Sequence, residues 1–303
     1  MSANSVMTKK VGFVGIGNMG WGMASNLAKA KLDLWVFDTD VNRVDKFAAE
    51  FGCKGTVDLK NLSDCDVIVT MLPTGAIVRD VLVGGNDGAS FASSLKKGSI
   101  VVDMSSSEPL GTQELGDELS NYGVILLDAP VSGGVVKATS GELAIMIGAD
   151  DEMALESVMP LIEIMGAKIF KTGALGSGHA MKAVNNYVAA ATFAASSEAL
   201  AIGAKFGLDL ETVVDILNVS TGKNFHTDLI LKQHVLSGKY ASGFQVALLA
   251  KDVKIAADLS KSLCEQTPLL DLMQTRWFEA RDMQGPTADY TTAHLAWTKA
   301  SEQ

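Results

Sequence analysis

KVGFVGIGNMG, residues 10–20, joins an apolar, β-like run to a Gly-x-Gly-x-x-Gly turn made by Gly15, Gly17 and Gly20. MGWGMASNLAKAK then suits a helix, and LDLWVFD is a second apolar run closed by Asp38. A pyrophosphate needs this order of parts. Gly15 permits the tight turn, Gly17 lets the backbone approach the phosphates, and Gly20 lets the helix pack close to the strand. Asn18 and Met19 lie inside the same turn, at the start of a helix whose free N–H groups and dipole attract an anion. Asp38 stands eighteen residues after Gly20, placed to accept hydrogen bonds from an adenosine ribose diol. A lone glycine motif can be only a turn that needs positive φ. Strand, helix and acid together predict a bound dinucleotide.

At 303 residues the chain has room for two cores, and a 48% hydrophobic and 20% charged composition is that of a globular protein. A net charge of −10 argues against nucleic acid and against an anionic membrane surface, since both need a basic face. An anionic substrate therefore requires a local cationic site. Cys53, Cys65 and Cys264 are odd in number and lack a CxxC pair, which suits reduced thiols and a cytoplasmic location. The four histidines form no ligand-like cluster, so no metal is expected. MSANSVMTKK carries no apolar leader core, and no window is expected to approach membrane-span character. Residues 188–204, the most apolar stretch, contain Glu198 and suit a buried helix.

Strand-like runs at 11–16, 34–38, 67–72, 99–104, 124–128, 143–148 and 168–171 alternate with amphipathic segments at 19–30, 41–51, 109–121 and 152–165. This alternation predicts an α/β, Rossmann-type doubly wound sheet over residues 1–174, with ligands at the C-terminal ends of its strands. Three post-strand turns carry chemistry-bearing content: 71–74, 103–107 and 128–134. The glycine-rich stretch 172–178 reads as a hinge, and strand signals then stop. Residues 175–303 predict an all-α domain, with helices over 179–206, 209–218, 244–265, 267–283 and 290–300. Asp209 and Thr267 suit the caps, with Pro268 at a first helical position.

The helix after the hinge opens HAMKAVNNY. Lys182 and Asn186 are four apart and share a face, with Asn185 beside them, in a helix that is otherwise apolar nearly all round. A lysine and two amides there are costly to bury unless paired. An interdomain hydrogen-bond network would satisfy them, but their place opposite a nucleotide edge favours chemistry.

GIGNMG at 15–20, DAPVSGG at 128–134, GSGHAMKAVNN at 176–186 and LAKD at 249–252 together resemble the β-hydroxyacid dehydrogenases, the group of 3-hydroxyisobutyrate dehydrogenase and related semialdehyde reductases. The likeness runs over nearly the whole chain, to DYTTAHLAW. It implies that Lys182 is the catalytic lysine with Asn186 as its helix partner, and that Ser132, Gly133 and Gly134 hold the substrate carboxylate. It also implies cofactor contacts from Leu72, Pro73, Ser106 and Lys251, and closure of the site by Phe244 and Asp252, with Asn185 beside the substrate. Such a lysine, desolvated, can move the hydroxyl proton and stabilise an alkoxide.

Three positions depart from the family pattern. Ser106 stands where relatives often have Thr and His179 where many have Gln, and after DAPVSGG, where many continue with a Gly-Ala pair, Val135-Val136-Lys137-Ala138 inserts a cation. A lone histidine is more often structural, whereas Lys137 could meet a second polar group on the substrate. The expectation is an NAD-dependent dehydrogenase of a small 3-hydroxyacid, a homodimer or homotetramer, with Asp38 opposing a 2′-phosphate and Arg43 close to it. Imine reductases of similar fold usually lack the lysine, and a 6-phosphogluconate enzyme needs a longer helical domain. The alternatives are a non-catalytic dinucleotide-binding sensor or scaffold and, among enzymes, an NADPH-dependent semialdehyde or glyoxylate reductase or a sugar-acid or phenylserine-type dehydrogenase.

Overall fold

A computed structural model describes residues 9–84 and 90–299 of the chain. Residues 1–8, most of the stretch searched for a leader, and Ala300, the last residue of the expected final helix, lie outside the described residues. The chain divides into two compact units between Lys182 and Ala183.

The first unit holds strands β1 (Lys10–Val14), β2 (Asp33–Phe37), β3 (Lys54–Thr56), β4 (Val67–Thr70), β5 (Ile100–Asp103), β6 (Ile125–Asp128), β7 (Val131–Ser132), β8 (Leu143–Gly148) and β9 (Gly166–Gly173). Its helices are α1 (Asn18–Lys29), α2 (Val41–Phe51), α3 (Gly75–Leu82), α4 (Phe91–Ser94), α5 (Pro109–Ser120), α6 (Gly134–Ser140) and α7 (Glu152–Met165). The strands form one sheet in the order β3-β2-β1-β4-β5-β6-β8-β7, with β9 paired to β8. Pairing is parallel from β3 to β6; β8 then runs antiparallel to β6 and β7 and parallel to β9. The order reverses at β1, between β2 and β4, and such a switch opens a crevice at the strand ends.

Strand alternation explains the two covered faces. Val11, Phe13, Val67, Val69 and Val102 join one core with α1 and α7, whereas Val14, Ile68 and Val101 join the other with α3 and α5. The short β3, not expected from sequence, is polar and edge-placed, so no hydrophobic period marks it. The helix starts are set locally. Asp40 accepts from the N–H groups of Asn42 and Arg43, Thr74 from Ile77, and Asp151 from Ala154.

The second unit is helical: the rest of α8 (Ser177–Phe206), then α9 (Leu210–Val219), α10 (Phe225–Leu229), a π-helical turn (Leu231–Leu236), α11 (Val246–Ser262), α12 (Pro268–Gln284), a 3₁₀ turn (Tyr290–Thr292) and α13 (Ala293–Lys299). Its core gathers Phe193, Trp277, Tyr290 and Trp297, with Trp277 and Trp297 edge-to-face at 5.0 Å. Asp209 caps α9 as expected, through Thr212. Thr267 stands at the start of α12 but does not cap it. Its hydroxyl lies 2.8 Å from that of Ser260 instead.

The expectation about membrane character needs correction. By length and composition α8 is apolar enough to cross a bilayer. Its Ala190, Phe193 and Leu200 lie instead in the core of the helical unit. A helix apolar nearly all round satisfies both descriptions, because hydropathy counts residues and not neighbours.

Candidate functional site

The glycine turn has the geometry its sequence demands. Gly15 adopts φ +94° and donates its N–H to the carbonyl of Phe37 at 2.8 Å. A Cβ there would strike the Met71 carbonyl and the Leu72 side chain, so Gly15 seats the β1 turn directly on the turn after β4. A Cβ at Gly20 would lie 1.9 Å from the Gly15 carbonyl, whereas at Gly17 it would meet nothing within 4 Å. Gly17 also begins α1 with no side-chain cap. The first N–H groups of α1 are thus left to an external acceptor, and open backbone at that point fits a pyrophosphate. Asn18 is exposed beside it and Met19 half-buried.

Asp38 is buried at the end of β2. Its Oδ2 accepts from the Ile16 N–H at 3.0 Å, and its Oδ1 from the Asp40 N–H at 3.1 Å. Both oxygens keep capacity for further donors such as a ribose diol. The Arg43 guanidinium lies 3.4 Å from the carboxylate, and Trp21, Asn42, Arg43 and Lys46 line a depression next to it. The dinucleotide assigned from sequence therefore fits the residues at this edge.

The turn after β5 carries three serines with divided tasks. Ser105 donates its N–H to Asp103 Oδ1 and accepts the Leu72 N–H on its hydroxyl at 2.9 Å, and Ser107 donates to Asp103 Oδ2. Ser106 lies half-buried between them, and Pro73 is exposed on the neighbouring turn.

The turn after β6 carries Ser132, Gly133 and Gly134, the residues expected to hold a carboxylate. Val131 and Ser132 are held by antiparallel pairing to Ile145 and Ala144. Gly133 and Gly134 follow at φ +138° and +68°, conformations that only glycine takes without strain, and α6 starts there. Ser132 is half-buried and both glycines are exposed. Lys137 comes from α6 and folds back over the turn. A Cβ at Gly133 would lie 2.8 Å from two carbons of its side chain.

Asp128, buried at the end of β6, accepts the N–H groups of Gly176 and His179, both at 2.7 Å. It is a long-range anionic cap on α8. Burial pushes its carboxyl up from the ordinary range, and the two N–H groups and His179 draw it back. A Cβ at Gly178 would meet Asp128 Oδ2 at 2.8 Å, and one at Gly148 would meet Oδ1 at 2.3 Å, so the glycines exist to let this carboxylate in. Lys182, half-buried, follows one turn along α8. The helix that carries Lys182 is thus capped by the strand whose next turn carries Ser132-Gly133-Gly134.

Sequence reading did not assign Asp103, Thr112 or Asp128. The available signal was an acid closing each of two adjacent strands, before DMSSS and DAPVSGG.

In the helical unit Asn186 is buried. Its amide donates to Asp252 Oδ2 at 2.6 Å and accepts from Asn185 at 3.0 Å, and Lys251 Nζ lies 3.1 Å from Asp252 Oδ1. Asn185, Asn186, Lys251 and Asp252 therefore form one network. Phe244 stands apart from it, half-buried against Tyr290 with ring centroids 6.2 Å apart. Among the described residues no cluster of His, Cys, Asp or Glu could hold a metal ion, and the three cysteines are free.

Residues 10–173 match the family described as the NAD binding domain of 6-phosphogluconate dehydrogenase, and residues 176–296 the NAD-binding family of NADP-dependent 3-hydroxyisobutyrate dehydrogenase. The chain is 34% identical to 2-(hydroxymethyl)glutarate dehydrogenase of Eubacterium barkeri, over 91% of this chain and 90% of that one. It is 35% identical to mitochondrial 3-hydroxyisobutyrate dehydrogenase of Mus musculus, over 86% and 78%. The structure of Mycobacterium tuberculosis 3-hydroxyisobutyrate dehydrogenase with L-serine superposes with a TM-score of 0.84 at 28% identity, covering 96% of this chain and 99% of that one.

Proposed function

This chain belongs to the β-hydroxyacid dehydrogenase family, and we propose that it oxidises a small 3-hydroxyacid with NAD, Lys182 handling the hydroxyl proton. One observation carries the reading: Asp128 ties the Lys182 helix to the strand that continues into Ser132-Gly133-Gly134. Proton chemistry and carboxylate binding are thereby fixed to one carboxylate.

NAD, when bound, supplies the hydride acceptor. Gly15, Gly17, Asn18, Met19 and Gly20 would hold its pyrophosphate, Asp38 its ribose, and Leu72, Pro73, Ser106 and Lys251 the rest. Ser132 and the two glycine N–H groups receive the substrate carboxylate as a compact donor nest, which answers locally the chain's net negative charge. Lys182 accepts the hydroxyl proton as hydride leaves, and its ammonium stabilises the developing alkoxide. Asn186 is fixed by Asp252 and acts as the helix partner of Lys182, while Asn185 and Phe244 border the substrate. Asp38 opposes a 2′-phosphate, so NAD is preferred over NADP. The names of the relatives support a carboxylate-bearing alcohol as substrate, and Lys137 over Gly133 favours one with a second polar group.

We assign a homo-oligomer, on the apolar side chains Val188, Ile202, Phe206, Ile216 and Val219 that α8 and α9 expose, and a cytoplasmic location, on three cysteines without a disulfide. The deciding experiment follows NADH formation with NAD and NADP over a panel of 3-hydroxyacids that includes hydroxyisobutyrate, serine and a dicarboxylic analogue. Turnover of at least one acid is expected. NADH binding without turnover of any would leave the sensor or scaffold reading instead.

A further inference from the structure

His179 is the one histidine of the first unit, and it is only 1% exposed. Its ring is enclosed by chemistry from three elements. Nδ1 lies 2.8 Å from the Thr112 hydroxyl of α5 and 3.7 Å from Asp128 Oδ2 at the end of β6. Nε2 lies 3.6 Å from Asp103 Oδ2 at the end of β5 and has no hydrogen-bond partner. Nδ1 and the Thr112 hydroxyl share one hydrogen bond, whose direction depends on the ring's tautomer. Nε2 points at a carboxylate beyond hydrogen-bond reach, in a site closed to solvent.

Packing alone does not account for this placement, since a buried polar ring costs free energy unless it is bonded, and an apolar side chain of that size would serve better. What the ring touches gives the reason. Asp103 organises the turn that carries Ser106, through the Ser105 N–H and the Ser107 hydroxyl. Asp128 precedes the turn that carries Ser132, Gly133 and Gly134, and it caps α8. His179 lies in the first turn of α8, three residues before Lys182. We propose that His179 is a positioning residue that wedges between Asp103 and Asp128 and locks the Lys182 turn of α8 to both ligand-binding turns at once. This assignment rests on the functional reading above for its consequence in catalysis, while the lock itself is a property of the first unit alone.

The test uses the full-length chain carrying His179→Leu, which keeps volume and the backbone N–H to Asp128 but loses the ring's bond to Thr112, and His179→Gln, whose amide can still bond Thr112. Activity is normalised to NADH-binding sites. His179→Leu should lower kcat by about tenfold or more while the Kd for NADH stays within about threefold, and His179→Gln should recover most of the loss. A residue that only filled space would lower Tm in both variants and leave kcat per site unchanged, which would overturn the proposal. Amide hydrogen exchange over residues 176–182 is read in parallel, and it should quicken in His179→Leu and return towards wild type in His179→Gln. If wild type oxidises no hydroxyacid, the functional reading falls while hydrogen exchange still decides the lock. If His179→Leu does not fold, Thr112→Val removes the ring's hydrogen-bond partner and leaves the ring in place: kcat should fall about threefold and exchange should quicken, and wild-type values for both would sink the assignment.

Discussion

At the scale of single residues, Lys182 and Ser132 are separable by kinetics. Lys182→Ala removes proton transfer and alkoxide stabilisation but no group assigned to the nucleotide. Its kcat should fall by at least about 10² with NADH affinity little changed. Activity within threefold of wild type would exclude Lys182 as the acid/base group. Ser132→Ala removes an anchor that acts alike on ground and transition states, so KM should rise more than kcat falls. Lys137 tests specificity. Its aliphatic stem covers Gly133. Lys137→Ala should penalise a dicarboxylic substrate by about tenfold in kcat/KM, the size of one charge-assisted hydrogen bond, and spare hydroxyisobutyrate. Equal, small effects on both would return Lys137 to the solvated surface. The sequence singles out these three residues because each is a reactive or conformational exception within a motif. It does not single out Asp103, Thr112 and Asp128. Their roles depend on bonded neighbours as many as 67 positions away, and no local pattern encodes such a pairing.

At the scale of elements, the β1–α1 turn separates folding from binding. Gly20 cannot accept a Cβ, which would overlap the Gly15 carbonyl, so Gly20→Ala should lose both stability and NADH binding. Gly17 has an ordinary φ of −66° and open space around its missing side chain. Gly17→Ala should keep the wild-type Tm and weaken NADH by tenfold or more, because the added methyl meets only the pyrophosphate. Wild-type affinity in that variant would mean the turn serves backbone geometry alone. The long strands and helices were readable from periodicity, since each has one consistent apolar face. The elements that escaped prediction, among them β3, α6, α10 and the π-helical turn at 231–236, are short or polar, and tertiary packing rather than pattern holds them. The hinge assigned near residue 175 illustrates the same limit. Glycines at 173, 176 and 178 suggest a break, yet the first turns of α8 belong with the sheet, because those glycines admit Asp128 to the helix start.

At the scale of the whole molecule, a histidine buried in the helical core ties stability to pH. His226 is buried against Phe193 and Tyr290, with ring centroids 5.2 and 5.9 Å away, and its Nδ1 lies 3.2 Å from the Thr192 hydroxyl. No carboxylate is bonded to it among the described residues, and burial holds its pKa down from 6.5 to about 4. Between those values the unfolded chain binds a proton that the folded chain refuses, so stability rises with pH across the window and is lost as pH falls from about 6.5 towards 4. The full shift corresponds to about 3 kcal/mol, a large share of the stability of a typical domain. Burial lowers His294 in the same direction, which adds to the effect. Replacing His226 with Gln removes the titration but keeps a polar side chain that can meet Thr192. Urea unfolding at pH 7 and pH 4.5 isolates the contribution, because every other group titrates alike in both proteins. The variant is less stable than wild type at pH 7 but should lose about 2 kcal/mol less on acidification. Parallel losses in the two proteins would show that the ring is already solvated in the folded state and that the aromatic core does not exclude the proton.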